Sequence, residues 1–239
     1  MTGDRKNLLE KPAPGTAVDA FLKQLAATPA VRPAAGERGR LMFALDATAS
    51  RQPTWDQACQ IQAEMFKETA ALGGLDVQLV FYRGLAELKA SAWLDSAAAL
   101  LKHMSAVRCL GGKTQIGRVL KLAITETRRR KVNAVVFIGD CMEEDVDELC
   151  HKAGELGLLG VPIFIFHEGS DPRATQAFRQ IAHLTRGAYC PFDANSPQQL
   201  RELLGAVAVY AAGGLAALED YSQRAGGATL LLARQVTKP

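Results

Sequence analysis

Leu41-Met42-Phe43-Ala44-Leu45-Asp46-Ala47-Thr48-Ala49-Ser50 reads as a short strand that runs into a loop rich in oxygen donors. The apolar run is too short for a helix and shows no alternation. That suits a strand covered on both faces, as in parallel sheets. Asp46 then stands just past the strand's C-terminal end, with hydroxyls following at alternate positions.

Outward from this stretch the same pattern recurs. Apolar runs at Val77 to Tyr82, Ala134 to Ile138, Val161 to Phe166 and, more weakly, Ala188 to Phe192 predict further strands. Amphipathic segments separate them, marked by Trp55, Ala58, Ile61 and Met65; by Ile116, Val119, Leu120, Ala123 and Thr127; by Val146, Leu149, Cys150, Ala153 and Leu156; by Phe178, Ile181 and Ala182; and by Leu200, Leu203, Leu204 and Val207. Strands alternating with helices imply right-handed crossovers and an α/β, doubly wound, mainly parallel sheet with helices on both faces. Glu87 to Trp93 follows its predecessor after Arg83-Gly84-Leu85-Ala86, too few residues for a crossover helix, and predicts one antiparallel edge strand.

Such a sheet gathers residues beyond its strand ends on one rim, where ligands bind at the reversal of strand order. Asp46 and Asp140 each end a strand there, and Thr114, in Gly111-Gly112-Lys113-Thr114, starts the helix that feeds the Asp140 strand. Asp46, Thr48, Ser50, Thr114 and Asp140 therefore converge. Taken singly, each is a helix cap or a turn residue; together they form an all-oxygen cluster suited to a hard cation, Mg2+ first and Mn2+ as a substitute. None of the five is His or Cys, which disfavours zinc.

Asp46-x-Thr48-x-Ser50 resembles the first motif of the metal-ion-dependent adhesion site (MIDAS) of von Willebrand factor A (VWA) domains, usually D-x-S-x-S, with Thr114 and Asp140 at the places of the second and third motifs. The resemblance spans about residues 40–210 and is to an intracellular, bacterial-type member of the family. It implies a Rossmann-like VWA fold and a protein-binding module without catalysis of its own. One Mg2+ would be held directly by Thr48 and Ser50, directly or through water by Thr114, and oriented by Asp46 and Asp140. The partner would bear an exposed Asp or Glu that completes the metal's shell, as on an AAA+ ATPase or a chaperone-like complex. Thr48 departs from the usual serine but keeps the hydroxyl. Glu143, Glu144 and Asp145 follow Asp140 and either enrich the first turn of the next helix or close the sixth coordination position. Lys113 reads as solvated.

The principal alternative is a Mg2+-dependent phosphohydrolase similar to haloacid dehalogenases, with Asp46 as nucleophile and Gly139-Asp140 and Glu144 imitating the acidic motif. Thr48 stands where those enzymes carry a second aspartate, and Ser50 has no role in that scheme. A phosphate-binding loop at Gly112-Lys113-Thr114 fails because Val107 occupies the place of its earlier glycine. His167-Glu168 lacks the second histidine of a metalloprotease helix, and His103, His151 and His183 read as structural or solvated.

Length and composition agree with a globular domain: 239 residues, 48% hydrophobic and 22% charged, with a formal charge of +3. That charge is too small to imply nucleic acid or an acidic membrane, and Arg128-Arg129-Arg130-Lys131 falls where a helix should end, complementing its dipole. The odd set of five cysteines has no C-x-x-C spacing, and the polar start leads into no long apolar stretch. Reduced thiols and a cytoplasmic location are the expectations.

Residues 1–38 read as an arm with one amphipathic helix carrying Val18, Phe21, Leu22 and Leu25, started by Thr16 with Asp19. It packs either on the main domain, 39–212, or on another chain. Residues 213–239 read as an extension packed on the domain, a helix and a small strand at Leu230 to Leu232.

Overall fold

The computed structural model describes residues 14–27, 37–192 and 197–225. The expected strand at Leu230 to Leu232 lies outside the described residues.

Six strands form one sheet: β1 (Gly39–Asp46), β2 (Leu75–Arg83), β3 (Glu87–Leu94), β4 (Ala134–Gly139), β5 (Ile163–Glu168) and β6 (Ala188–Phe192), in the order β3-β2-β1-β4-β5-β6. Every neighbouring pair is parallel except β2 and β3, which run antiparallel. The chain builds outward from β1 in one direction, then restarts beside β1 with β4 and builds in the other. The strand order thus reverses between β1 and β4, the two strands that end on Asp46 and on Gly139 before Asp140.

The helices are α1 (Pro14–Ala27), α2 (Gln52–Ile61), α3 (Ala63–Thr69), α4 (Ala97–Ser105), α5 (Ile116–Arg129), α6 (Val146–Leu158), α7 (Pro172–Leu184) and α8 (Pro197–Ala225). They divide over two faces. Leu41, Phe43 and Leu45 of β1 join a core with Trp55 of α2, Leu100 of α4 and Leu204 of α8. Met42 and Ala44 face the other core, with Val119 of α5, Leu149 of α6 and Phe178 of α7. Since both faces of β1, β4 and β5 are buried, these strands carry continuous apolar runs, Leu41 to Leu45, Ala134 to Ile138 and Ile163 to Phe166, with polar residues only toward their ends.

Some elements differ from expectation. The segment marked by Trp55 to Met65 is divided at Gln62 into α2 and α3. The sequence reading has no counterpart for α4. In the arm, the helix already runs at Pro14, so Thr16 lies within it and does not start it. Phe21 and Leu25 are fully buried, and Phe21 sets its ring edge against Phe164 and Phe166 of β5 at 6.0 and 5.4 Å. The arm helix therefore docks on its own sheet. The side chains of Val18 and Leu22 lie outside the described residues. At the other end, α8 is two helical stretches separated at Gly214 (φ 72°), near the boundary expected at residue 212, and the stretch beyond it packs on the domain with Leu218 buried in the first core, as the expected helix of the extension. Part of α8, Pro197–Tyr221, is long and apolar enough to cross a membrane, but 72% of its apolar 18-residue window is buried inside the fold.

The basic run ends α5 as expected. Arg128 pairs with Glu155, Arg129 with Glu126, and the Lys131 ammonium donates to the carbonyls of Leu159 and Gly160. All five cysteines are free thiols.

Candidate metal centre

Asp46 is 2% exposed, and each of its carboxylate oxygens holds a donor: the Thr48 backbone N–H at 2.7 Å on Oδ1 and the Tyr82 hydroxyl at 3.1 Å on Oδ2. The first bond curls the loop after β1 so that the alternate hydroxyls turn back over the strand end. Thr48 Oγ1 and Ser50 Oγ then lie 3.5 Å apart, and Ser50 Oγ donates to Asp140 Oδ2 at 3.0 Å. A continuous hydrogen-bonded path thus joins Asp46, Thr48, Ser50 and Asp140 across the switch point.

Thr114 reaches the same rim by another route. Its N–H donates to Glu143 Oε2 and its Oγ1 accepts from the Glu143 N–H, both at 3.1 Å, which fastens the approach to α5 onto the loop after Asp140. No hydrogen bond links Thr114 to the other four among the described residues. Its loop is held from the other side by Lys113 N–H to the Gly84 carbonyl at 3.1 Å, and a Cβ built on Gly112 would lie 2.0 Å from that oxygen. Gly112→Ala must therefore push the two backbones apart; we expect a stability loss of about 1–3 kcal/mol, the usual cost of overpacking, read from urea unfolding. An unchanged midpoint would show that the loop yields freely.

The acidic residues after Asp140 have separate tasks. Glu144 accepts from the N–H groups of Ile116 and Gly117 at 2.6 and 2.8 Å, satisfying the free donors at the start of α5. Asp145 caps α6 through the Glu148 N–H. Only Asp145 thus serves the next helix as expected; Glu144 serves the preceding one. Both are committed to helix ends.

One atom in this cluster is unsatisfied. Asp140 Oδ1 is buried and has no hydrogen-bond partner. A carboxylate oxygen in that condition costs free energy unless a cation or donor meets it. One ligand atom each of Asp46, Asp140 and Cys141 lie within 4.8 Å of one another, so the carboxylates converge on a common space. Burial pushes the Asp46 carboxyl above its ordinary value, a trend that its Thr48 hydrogen bonds oppose and the Asp140 carboxylate reinforces. Burial and the Asp140 charge push the Cys141 thiol up to about 12, so it is a neutral neighbour rather than a ready thiolate. The donors fit a hard divalent cation: two carboxylates close together, two adjoining hydroxyls and one orphaned oxygen.

Four surrounding residues are absent from the sequence reading of the site. Tyr82, next to last in β2, pairs in register with Asp46 and anchors it. His167, fully buried at the end of β5, contacts the Asp140 carbonyl through Nε2 at 3.1 Å and the Tyr189 hydroxyl through Nδ1 at 2.9 Å; burial lowers its pKa. Arg51 places Nε 3.2 Å from Asp140 Oδ2 and pairs through Nη1 with Glu168, which also accepts from the Thr54 hydroxyl. Position offers a signal for three of them: Tyr82, His167 and Glu168 all lie at the C-terminal ends of strands flanking β1 and β4. Arg51 simply follows Ser50.

No protein-family model matches the sequence, and no curated protein does at a significant level. Solved structures do match. The VWA domain of SpRpn10 shares 15% identity at a TM-score of 0.55, over 70% of this chain and 94% of that one. Proximal thread matrix protein 1 from the mussel byssus, with a zinc-occupied MIDAS motif, shares 16% identity at a TM-score of 0.55, over 72% of this chain and 46% of that one. The PilB minor pilin from Streptococcus sanguinis shares 10% at 0.53, over 74% and 62%. The chain has the fold of a VWA domain.

Proposed function

We propose that the chain is a metal-dependent protein-binding module that holds one Mg2+ at the C-terminal rim of the sheet and recruits a partner through that partner's exposed Asp or Glu. The observation that carries this reading is the buried, partnerless Asp140 Oδ1 at the switch point, on a carboxylate whose other oxygen accepts from Ser50 and which lies close to a second carboxylate, Asp46. Asp140 would hold the cation through Oδ1 together with Thr48 and Ser50, a more direct role than the resemblance implies for it. Asp46, with both oxygens occupied by donors, would orient the loop and supply charge, and Thr114 would approach from the α5 side. When bound, the cation supplies an under-neutralised charge that an acidic side chain can meet.

The likeness to VWA structures, one with a metal at its MIDAS motif, supports the binding module. Asp46 favours it over the phosphohydrolase: a nucleophile needs an accessible oxygen, and Asp46 is 2% exposed with a donor on each. The partner class proposed is an acidic surface of a cytoplasmic assembly, such as an AAA+ ATPase or chaperone-like complex.

The test is isothermal titration of the full chain with Mg2+ and Mn2+, beside Thr48→Val, which removes the hydroxyl and keeps the shape. We expect binding by the unmutated chain and a loss of at least about tenfold in the variant. Absence of binding to both ions would overturn the reading. A partner held in Mg2+ should also be released by EDTA and by Thr114→Ala.

A further inference from the structure

A positively charged side chain lies against the oxygens proposed to hold the cation. Arg51 is 7% exposed, and its guanidinium is spread over the cluster: Nε lies 3.2 Å from Asp140 Oδ2 and 3.5 Å from Ser50 Oγ, Nη2 donates to the Ser50 carbonyl at 3.1 Å, and Nη1 pairs with Glu168. Ser50 Oγ, which would serve the cation, and the second oxygen of the Asp140 carboxylate thus already face a fixed positive group. Glu168 is the counterweight. It comes from β5, two strands from β1, and with the Thr54 hydroxyl it holds the far end of the guanidinium away from Asp140.

We propose that Arg51 is a resident cation that sets the affinity of the metal centre, and that Glu168 tunes how strongly it competes. This inference rests on the metal-binding reading above. A guanidinium a few ångströms from the ion's position repels it, and in a buried site little solvent screens the repulsion. With Arg51 present, the carboxylates of Asp46, Asp140 and Glu168 are offset by one positive charge. Removing that charge strengthens the attraction for a divalent ion. Removing the Glu168 charge weakens it twice over, by deleting an anion and by releasing Arg51 fully onto Asp140. Arg51 is a positioning residue in this scheme: it shapes Asp140 and Ser50 without holding the metal.

The experiment titrates Mn2+ into the full chain, followed by calorimetry and by the loss of the free-ion electron paramagnetic resonance signal, for the unmutated protein, Arg51→Gln, Glu168→Gln and the double variant. Arg51→Gln should bind about tenfold more tightly and Glu168→Gln about tenfold more weakly, and the double variant should stay tighter than the unmutated protein, because without Arg51 the loss of Glu168 only deletes an anion. That net gain separates charge from structure, because two purely structural lesions would both weaken binding and the double variant would be the weakest of the four. Unmutated protein that binds, with Arg51→Gln no tighter, overturns the inference and leaves the metal site standing. No binding in any of the four overturns both. Binding only after Arg51→Gln supports the inference in its strongest form. Should Arg51→Gln fail to fold, Glu168→Gln decides alone: unchanged affinity overturns the proposal.

Discussion

Asp140→Asn should abolish divalent-cation binding while leaving the fold in place, with affinity for Mn2+ falling at least about 100-fold, equivalent to about 2.7 kcal/mol. The substitution keeps the shape and removes the charge from a carboxylate whose Oδ1 is buried without a partner. The cost to stability is modest for three reasons. Arg51 keeps its pairing with Glu168, Ser50 can still donate to the amide oxygen, and the repulsion between Asp140 and Asp46 disappears. A loss of less than about 2 kcal/mol is expected, the scale of a hydrogen bond to a charged group. Asp46→Asn should behave differently. Its carboxylate accepts from two donors, the Thr48 N–H and the Tyr82 hydroxyl, so an amide N–H2 must face one of them. That variant should lose metal and stability together. Calorimetric titration and thermal melting of the two variants side by side test the assignment; Asp140→Asn with undiminished Mn2+ affinity would place the ion elsewhere.

What the sequence disclosed follows from which contacts are local. β1, β4 and β5 are buried on both faces, so their apolar runs are continuous and readable. Thr48 and Ser50 are legible because a single loop presents them at alternate positions, tied back by the Thr48 N–H to Asp46. The antiparallel β3 was legible from the shortness of the turn at Gly84. Helix α4 was not: Ala97-Ala98-Ala99 opens it, and only Leu100 and Met104 are buried along it. The helix beyond Gly213-Gly214 was legible because the paired glycines mark the break at Gly214; at Gly213 a side chain would meet Ala217 and Leu72, so glycine there permits close packing. Arg51 and Glu168 were out of reach for another reason. Their pairing joins the loop after β1 to the end of β5, and only the completed strand order brings those two together.

The docking of α1 gives the largest expected change in stability. Phe21→Ala should cost about 3–5 kcal/mol, the range for removing a buried phenylalanine, which is a large share of the roughly 5–15 kcal/mol that stabilises an ordinary domain. The ring is fully buried and meets Phe164 and Phe166 edge-on, and Phe164 in turn packs edge-on against Tyr210 of α8. Deleting the ring therefore opens a cavity in the core beneath β5 rather than trimming the surface. The neighbours have little freedom to collapse into it: Phe164 and Phe166 are fixed on a strand paired on both sides, to β4 and to β6. Urea unfolding should show a lower midpoint with an unchanged slope, because the surface exposed on unfolding is nearly the same. At saturating Mn2+, while the variant remains folded, metal affinity should hold, since the centre is built from loops at the strand ends and not from the packing under α1. A midpoint within the equivalent of about 0.5 kcal/mol of the unmutated protein, the range for exposed positions, would mean that the arm does not rest on this sheet in solution and that the face of β5 and α8 is free for something else.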